Sequence, residues 1–188
     1  MVRADSGTAR STGVEVDVNV GPAAAYEGLR RALDALREAG ATFGPVPNAR
    51  GPEWAELFPG TAGGTDLSLT DIALAPSERR LHRESEQVFR VLSTAAAALC
   101  DGCSQVGRPL VLHGVGGADL PSLRGFMRAA EHARTVPGEV EIVADAPERV
   151  RPPHGAAADL RAERARCLQG MGLPVEKADM NRDRKSVV

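Results

Sequence analysis

Aromatic residues are scarce in this sequence: they make up 3% of its 188 residues, with one Trp and one Tyr. A surface of aromatic platforms on which nucleic-acid bases could stack is therefore not expected. Charge gives the same indication, because 23 Lys and Arg residues stand against 25 Asp and Glu residues, a formal net charge of −2. No segment concentrates enough positive charge to neutralise many phosphates. We expect no binding of nucleic acid by this chain alone.

Long apolar runs and an even set of cysteines are also missing. The longest uncharged apolar run, residues 91–100, is much shorter than the roughly 20 residues of a membrane-spanning helix. The three cysteines are an odd number, which argues against a disulfide scaffold and fits a reducing compartment. Both features predict a cytoplasmic protein with no membrane partner. The apolar content of 43% is enough for a single core.

The common motifs of catalytic and nucleotide sites are missing as well. The sequence contains no G-x-x-x-x-G-K-[ST] phosphate loop, no G-x-G-x-x-G fingerprint and no G-x-S-x-G nucleophile elbow. Its four histidines form no metal-binding pair at i and i+4. Cys100 and Cys103 form a C-x-x-C pair, which we interpret as two ordinary small residues at a helix end. The sequence therefore assigns no catalytic residue and no metal site, and enzymatic activity is not indicated.

Hydrophobic periodicity predicts the secondary structure. Valines alternate with polar residues from Val14 to Val20, which is typical of a strand with one buried face. Apolar residues at spacings of three and four predict amphipathic helices elsewhere. The predicted elements are strands over 14–20, 110–113 and 139–144 and helices over 23–39, 77–100, 120–134 and 156–171, with an irregular connection over 41–76. This alternation predicts an α/β fold with three layers around a mostly parallel sheet.

Local signals indicate where the helices begin and end. Gly40 suits the position just after the first helix. Ser77 can cap the long second helix, which the pair 101–102 (Asp-Gly) is expected to end. Asp119 is expected to cap the helix that begins near residue 120. Leu160 is expected to lie on the apolar side of the last helix.

The two ends of the sequence differ in composition from the middle. Residues 1–13 are small and polar and are expected to form a flexible lead-in. Residues 14–172 are predicted to form the α/β domain, and residues 173–188 a disordered tail. Within that tail, residues 183–188 (DRKSVV) look like the translation of a common sequencing adapter that runs into a stop codon. We expect these last residues to be non-native and the natural C-terminus to be missing.

Residues 108–123, RPLVLHGVGGADLPSL, resemble the Walker-B region of bacterial signalling ATPases of the STAND class, which include large ATP-binding LuxR-type and AfsR-type regulators. In those ATPases, the Walker-B region has an apolar strand after Arg-Pro, two acidic residues, a few residues ending in Ala-Asp, and a helix that opens with Ser-Leu. Further similar stretches are AYEGLRRAL (25–33), WAELFP (54–59), ERRL (78–81) and EVEIVA (139–144). The resemblance extends over residues 14–146. It implies a P-loop NTPase-like fold, with ATP and Mg²⁺ as the cofactors of an intact relative.

Two departures from the family pattern concern the ATP site. The Walker A motif would lie before residue 14, so the chain resembles a partial domain. At the two acidic Walker-B positions the sequence has His113 and Gly114, which removes the carboxylate that helps to hold Mg²⁺. The nearest acid after the strand is Asp119. We assign His113, Gly114 and Asp119 to a degenerate cofactor-binding region, and we expect no cofactor, no ATP–Mg²⁺ binding and no hydrolysis in this chain.

Three hypotheses about function follow. The first is a partial nucleotide-binding-type domain of a bacterial signalling or transcription-regulatory ATPase, inactive alone. Its expected partners are the missing N- and C-terminal parts of its own parent chain, and other proteins. The second is a small α/β protein-interaction domain without nucleotide binding. The third is a small-molecule enzyme that uses the loop after Leu112, although no acid, base or nucleophile converges there by sequence.

Overall fold

The computed structural model describes residues 13–21, 25–43, 51–58, 76–135, 142–144 and 158–173. These residues form a mixed α/β fold in which helices predominate. The elements in chain order are β1 (Val14–Asp17), α1 (Glu27–Glu38), α2 (Gly51–Leu57), α3 (Pro76–Val106), β2 (Leu110–His113), a 3₁₀ turn (Val115–Gly117), α4 (Leu120–Thr135), β3 (Ile142–Ala144) and α5 (Ala158–Gly170). The predicted lead-in up to residue 12 and the predicted tail from residue 174, including residues 183–188, lie outside the described residues.

The three described strands form one parallel sheet in the order β1-β2-β3. The strand β2 is central, and its residues Leu110, Val111 and Leu112 are buried, as predicted for a continuous apolar strand in a parallel sheet. Pairing sets Asp17 of β1 beside His113 of β2, so both strands end at the same edge. The prediction of a parallel sheet is therefore confirmed for these strands.

The strand β1 is shorter than the predicted segment 14–20, but the predicted alternation is present. Val14 and Val18 are buried, whereas Glu15 and Asp17 are exposed. Past the end of β1, the Val18 N–H still donates to the His113 carbonyl at 2.9 Å. The chain thus remains attached to β2 after regular pairing ends.

The helix α1 begins at Glu27 rather than at the predicted residue 23, and residues 22–24 lie outside the described part of the chain. It ends as the sequence predicts, with Gly40 in the left-handed region at φ +107°. The Gly40 N–H donates to the Arg37 carbonyl at 3.0 Å, and the Ala41 N–H donates to the Leu36 carbonyl at 2.9 Å. These two bonds form a Schellman motif, which satisfies the last carbonyls of the helix.

Within the predicted irregular connection, the helix α2 carries an aromatic cluster. The Trp54 ring lies 5.7 Å from that of Phe43 and 5.0 Å from that of Phe58, measured between centroids. Leu57 of the same helix is fully buried. Trp54 therefore packs the helix onto the domain. Residues 44–50 and 59–75 lie outside the described residues.

The long helix α3 departs from prediction at both ends. It begins at Pro76, so Ser77 lies inside the helix rather than at its cap. It also continues past the pair 101–102 to Val106, and the predicted end at that pair is wrong. The reason lies in packing, because a Cβ atom on Gly102 would lie 3.0 Å from the Leu36 side chain. The glycine lets α1 approach closely, and this contact outweighs its weak helix propensity.

The last helix, α5, differs from prediction in the placement of one apolar residue. Cys167 and Leu168 are buried, but Leu160, which the helical spacing places on the same side, is 48% exposed in the first turn. Leu173, which the sequence analysis placed in the tail, is buried and donates its N–H to the Leu168 carbonyl at 3.0 Å. The buried core thus includes the residue after position 172.

Across the helices that the structure describes, none combines the length and apolar character required to cross a lipid bilayer.

Candidate functional site

The three residues assigned to the degenerate Walker-B region lie on one loop but at its two different ends. His113 is the last residue of β2, and Gly114 follows it in the left-handed region at φ +68°. Asp119 follows the 3₁₀ turn and immediately precedes α4. Asp119 is fully buried, whereas the His113 side chain is 40% exposed. The structure therefore divides the predicted site into a buried end at Asp119 and an open end at His113.

At the buried end, the Asp119 carboxylate accepts three backbone hydrogen bonds. Its Oδ1 accepts from the N–H of Ser122 at 2.9 Å and from the N–H of Tyr26 at 3.0 Å. Its Oδ2 accepts from the N–H of Gly28 at 3.1 Å. The bond from Ser122 is the cap of α4 that the sequence predicts. The other two bonds cap α1 as well, so one carboxylate serves the positive ends of two helices.

Neighbouring residues support this double cap. Tyr26 adopts φ +62°, the one positive φ among the described residues other than glycine, and its N–H is held by Asp119. Burial raises the pKa of the Tyr26 hydroxyl, and the negative charges of Glu56 and Asp119 act in the same direction. The fully buried Ser122 accepts the Leu29 N–H on its Oγ at 3.0 Å. The N-terminus of α1 therefore depends on side chains from the start of α4.

Arg164 of α5 reaches the same loop from the other side. Its Nη1 donates to the Ala118 carbonyl at 2.9 Å, and its Nη2 donates to the Gly116 carbonyl at 2.6 Å. Among the residues that the structure describes, its Nε has no hydrogen-bond partner. Burial lowers the pKa of the Arg164 guanidinium, and the negative charge of Asp119 opposes this change. Arg164 thus fixes the loop and places a positive charge near the buried carboxylate.

At the open end, the glycine loop is shaped around Asn19. A Cβ atom on Gly117 would overlap the Asn19 amide, and a Cβ atom on Gly114 would lie 2.8 Å from both Asn19 Cβ and Asp17 Oδ1. The Asn19 N–H donates to Asp17 Oδ1 at 2.9 Å, which holds the turn after β1. Across the strands, His113 Nε2 lies 3.9 Å from Glu15 Oε2. These polar groups surround the carboxyl edge of the sheet, where α/β proteins bind ligands.

Two backbone N–H groups of the glycine loop donate to carbonyls of the loop itself. The Gly117 N–H donates to the Gly114 carbonyl at 2.9 Å, and the Ala118 N–H donates to the Val115 carbonyl at 3.1 Å. A phosphate-binding loop presents successive N–H groups to its ligand. Here these two donors already have partners, so they are not available to a phosphate in this conformation.

The cysteines are buried and are not arranged as a reactive site. All three are free thiols. Burial raises the pKa of Cys100 to about 11 and that of Cys103 to about 12, and it also raises the pKa of Cys167. A thiol with a raised pKa is a poor nucleophile and a poor metal ligand at neutral pH. The interpretation of the C-x-x-C pair as ordinary residues agrees with this burial, although the pair lies within α3 rather than at its end. No group of three His, Cys, Asp or Glu side chains able to hold a metal ion occurs among the described residues.

Sequence reasoning missed the partners of the candidate residues. The roles of Asn19, Tyr26 and Arg164 depend on contacts between segments far apart in sequence, and no local pattern marks them. For Ser122 the sequence does contain a signal, because Asp119-x-x-Ser122 has the spacing at which a helix cap and the third residue of the helix meet. The structure joins Asp119 to Tyr26 and Ser122, and it places His113 beside Asp17 of β1.

Comparison of the chain with protein-family models, with curated proteins and with solved structures finds no significant match.

Proposed function

We propose that this chain is a nucleotide-binding-type α/β domain of a bacterial signalling ATPase of the STAND class, in a form that does not hydrolyse ATP. The proposed architecture is the three-layer P-loop NTPase-like arrangement. Its support is the resemblance over residues 14–146 together with the order of the strands. The segment that resembles Walker B contains β2, which is the central strand of a parallel sheet and is followed by a glycine loop.

The observation that carries the proposal of inactivity is the use of Asp119. In P-loop ATPases a carboxylate after the Walker-B strand helps to hold Mg²⁺. The nearest acid after β2 is Asp119, and both of its oxygens accept backbone hydrogen bonds in a fully buried position. Coordination of a metal ion would leave the N-termini of α1 and α4 without acceptors. Asp119 is therefore a structural carboxylate in this proposal.

The other two positions of the degenerate region, His113 and Gly114, do not supply a carboxylate for Mg²⁺ either. Gly114 has no side chain, and a side chain there would meet Asp17 and Asn19 in a backbone conformation that disfavours residues with a Cβ atom. His113 supplies an imidazole where Mg²⁺ prefers oxygen ligands. Neither of these two positions therefore supplies the carboxylate that the chemistry requires.

Titration calorimetry of the full chain with ATP and Mg²⁺ tests this proposal. We expect no binding in the low micromolar range, which would correspond to about −8 kcal/mol or tighter, and no release of inorganic phosphate. Binding in that range that is lost in His113→Ala but kept in Arg37→Ala would contradict the proposal and assign a nucleotide site to the open end. The proposed architecture is tested separately, because an experimental structure with helices on only one face of the sheet would contradict it.

The alternative hypothesis, a small α/β protein-interaction domain without nucleotide binding, is favoured by one observation. Phe89 of α3 is 56% exposed, and the Arg128 guanidinium stacks on its ring. Exposed aromatic and arginine side chains are enriched at protein interfaces.

A further inference from the structure

The surface where α3 meets α4 holds an arginine in a fixed orientation. The Arg128 Cζ lies 4.2 Å from the centroid of the Phe89 ring. Its Nη1 donates to Ser93 Oγ at 2.9 Å, and Ser93 Oγ donates to the Phe89 carbonyl at 2.8 Å. Stacking and the hydrogen bond together restrict the guanidinium plane. An arginine that is already ordered loses less entropy when it binds a planar acceptor.

A second arginine, Arg37, also stacks on aromatic rings, and its contacts show which group a stacked guanidinium binds. The Arg37 Cζ lies 5.7 Å from the Phe43 ring centroid and 5.1 Å from that of Phe58. Its Nη1 donates to Asp34 Oδ1 at 2.6 Å. At that site two aromatic rings pack against the guanidinium, and an aspartate carboxylate neutralises its charge.

Arg128 has the ring but not the carboxylate. Among the described residues its hydrogen-bond acceptor is the Ser93 hydroxyl, and no acidic side chain lies within salt-bridge distance of it. A guanidinium carries five N–H donors, so most of its hydrogen-bonding capacity is unused by the described part of the chain. Its neighbour Arg124, by contrast, donates to Glu163 Oε1 at 3.0 Å.

We propose that the Phe89–Arg128 surface binds an acidic segment of a partner protein, in which an Asp or Glu carboxylate meets Arg128 beside an apolar side chain that covers Phe89. Planar, bidentate pairing with a carboxylate is the geometry that arginine favours. The exposed ring supplies the apolar area that a buried contact requires. The inference depends on this surface alone and is independent of whether the chain belongs to a nucleotide-binding family.

A carboxylate fits this surface better than a nucleic-acid backbone does. Binding of a phosphate backbone requires several uncompensated positive charges along its path. Here Arg124 and Arg90 already form ion pairs with Glu163 and Glu86, and the acidic Glu131 is exposed on α4 one turn beyond Arg128. One unpaired cation beside an apolar ring is instead suited to a single acidic side chain.

The experiment selects displayed random peptides on the immobilised full chain and measures the enriched peptides by fluorescence anisotropy. We expect enriched peptides to carry Asp or Glu close to an aliphatic or aromatic residue. Replacement of that acid by its amide should weaken binding about tenfold, the equivalent of about 1.4 kcal/mol. Arg128→Gln and Phe89→Ala should weaken binding by a similar factor, and Arg128→Lys, which keeps charge without planarity, by less.

Arg37→Gln is the matched control, because it alters the stacked arginine that already has a carboxylate, and it should leave binding unchanged. The circular dichroism spectrum of each variant shows whether it is folded. Arg128 and Phe89 lie at the surface, so we expect their variants to fold. Failure to enrich acidic peptides would overturn the proposal. Equal binding of the enriched peptides to wild type, Arg128→Gln and Phe89→Ala would also overturn it, as would tighter, Arg128-dependent binding of a single-stranded oligonucleotide.

Discussion

The two ends of the loop after β2 use their polar groups in opposite ways. At the buried end, the two Asp119 oxygens together accept backbone N–H groups from the starts of two helices. At the open end, Asp17, Asn19 and His113 lie at the carboxyl edge of the sheet. The contacts there include the short turn from Asp17 to Asn19 and a 3.9 Å approach of His113 Nε2 to Glu15 Oε2. Acids at similar places in the fold thus have different tasks. Burial and hydrogen bonding, rather than position after a strand, decide which one is structural.

The largest effect is expected from Asp119→Ala. The substitution leaves three N–H groups at a buried site without their acceptor, and each such loss costs about 1–3 kcal/mol, so the free energy of unfolding should fall by at least about 3 kcal/mol. Asp17→Ala at the open end should cost about 1 kcal/mol or less, because its bond to the Asn19 N–H is exposed to water. Urea unfolding of both variants measures the difference. Equal losses of unfolding free energy in the two variants would contradict the distinction between a structural Asp119 and an exposed Asp17.

The next effect is expected from Arg164→Met. This change keeps much of the apolar stem but removes the donors to Gly116 and Ala118, and it should lower the free energy of unfolding by about 2 kcal/mol. Arg166→Met is the control on the same helix, because that side chain is 72% exposed and its loss should change stability by about 0.5 kcal/mol or less. Thermal unfolding at one pH compares the pair. A control as destabilised as Arg164→Met would show that the buried guanidinium does not hold the loop.

The smallest effect concerns the open end. Gly117→Ala places a methyl group against the Asn19 amide and should cost about 1–2 kcal/mol, and Asn19→Ala should restore most of that loss by making room. The coupling between the two substitutions should be about 1 kcal/mol in a double-mutant cycle. Gly114→Ala should not be restored by Asn19→Ala, since its φ of +68° disfavours a Cβ atom in any surroundings. Additive effects at positions 19 and 117 would contradict the described contact.

The sequence predicted the elements that depend on local pattern. The valine alternation in β1, the apolar run of β2, the glycine end of α1 and the Asp119 cap of α4 all require only residues near in sequence. These are the parts that the structure confirms.

The failures have a common physical reason, which is tertiary contact. The helix α3 continues through Gly102 because Leu36 packs there. Leu160 shares a helix face with the buried Arg164 and Cys167, but it lies in the first turn of α5 and is exposed there, which the spacing alone does not show. The second role of Asp119, as the cap of α1, was equally beyond prediction, because it joins residues 93 positions apart. The candidate site was therefore located by sequence, but its division into two ends was not.

The shared cap at Asp119 also has a consequence for the order of folding. The N-terminus of α1 obtains acceptors from Asp119, which follows Gly28 by 91 positions and Tyr26 by 93. A chain that has been synthesised only as far as α3 holds α1 without those acceptors, and closing so long a loop costs conformational entropy before any bond rewards it. The start of α1 can reach its final state only when β2 is paired and the loop after it has closed. One carboxylate thereby couples the early and late halves of the domain into a single cooperative transition.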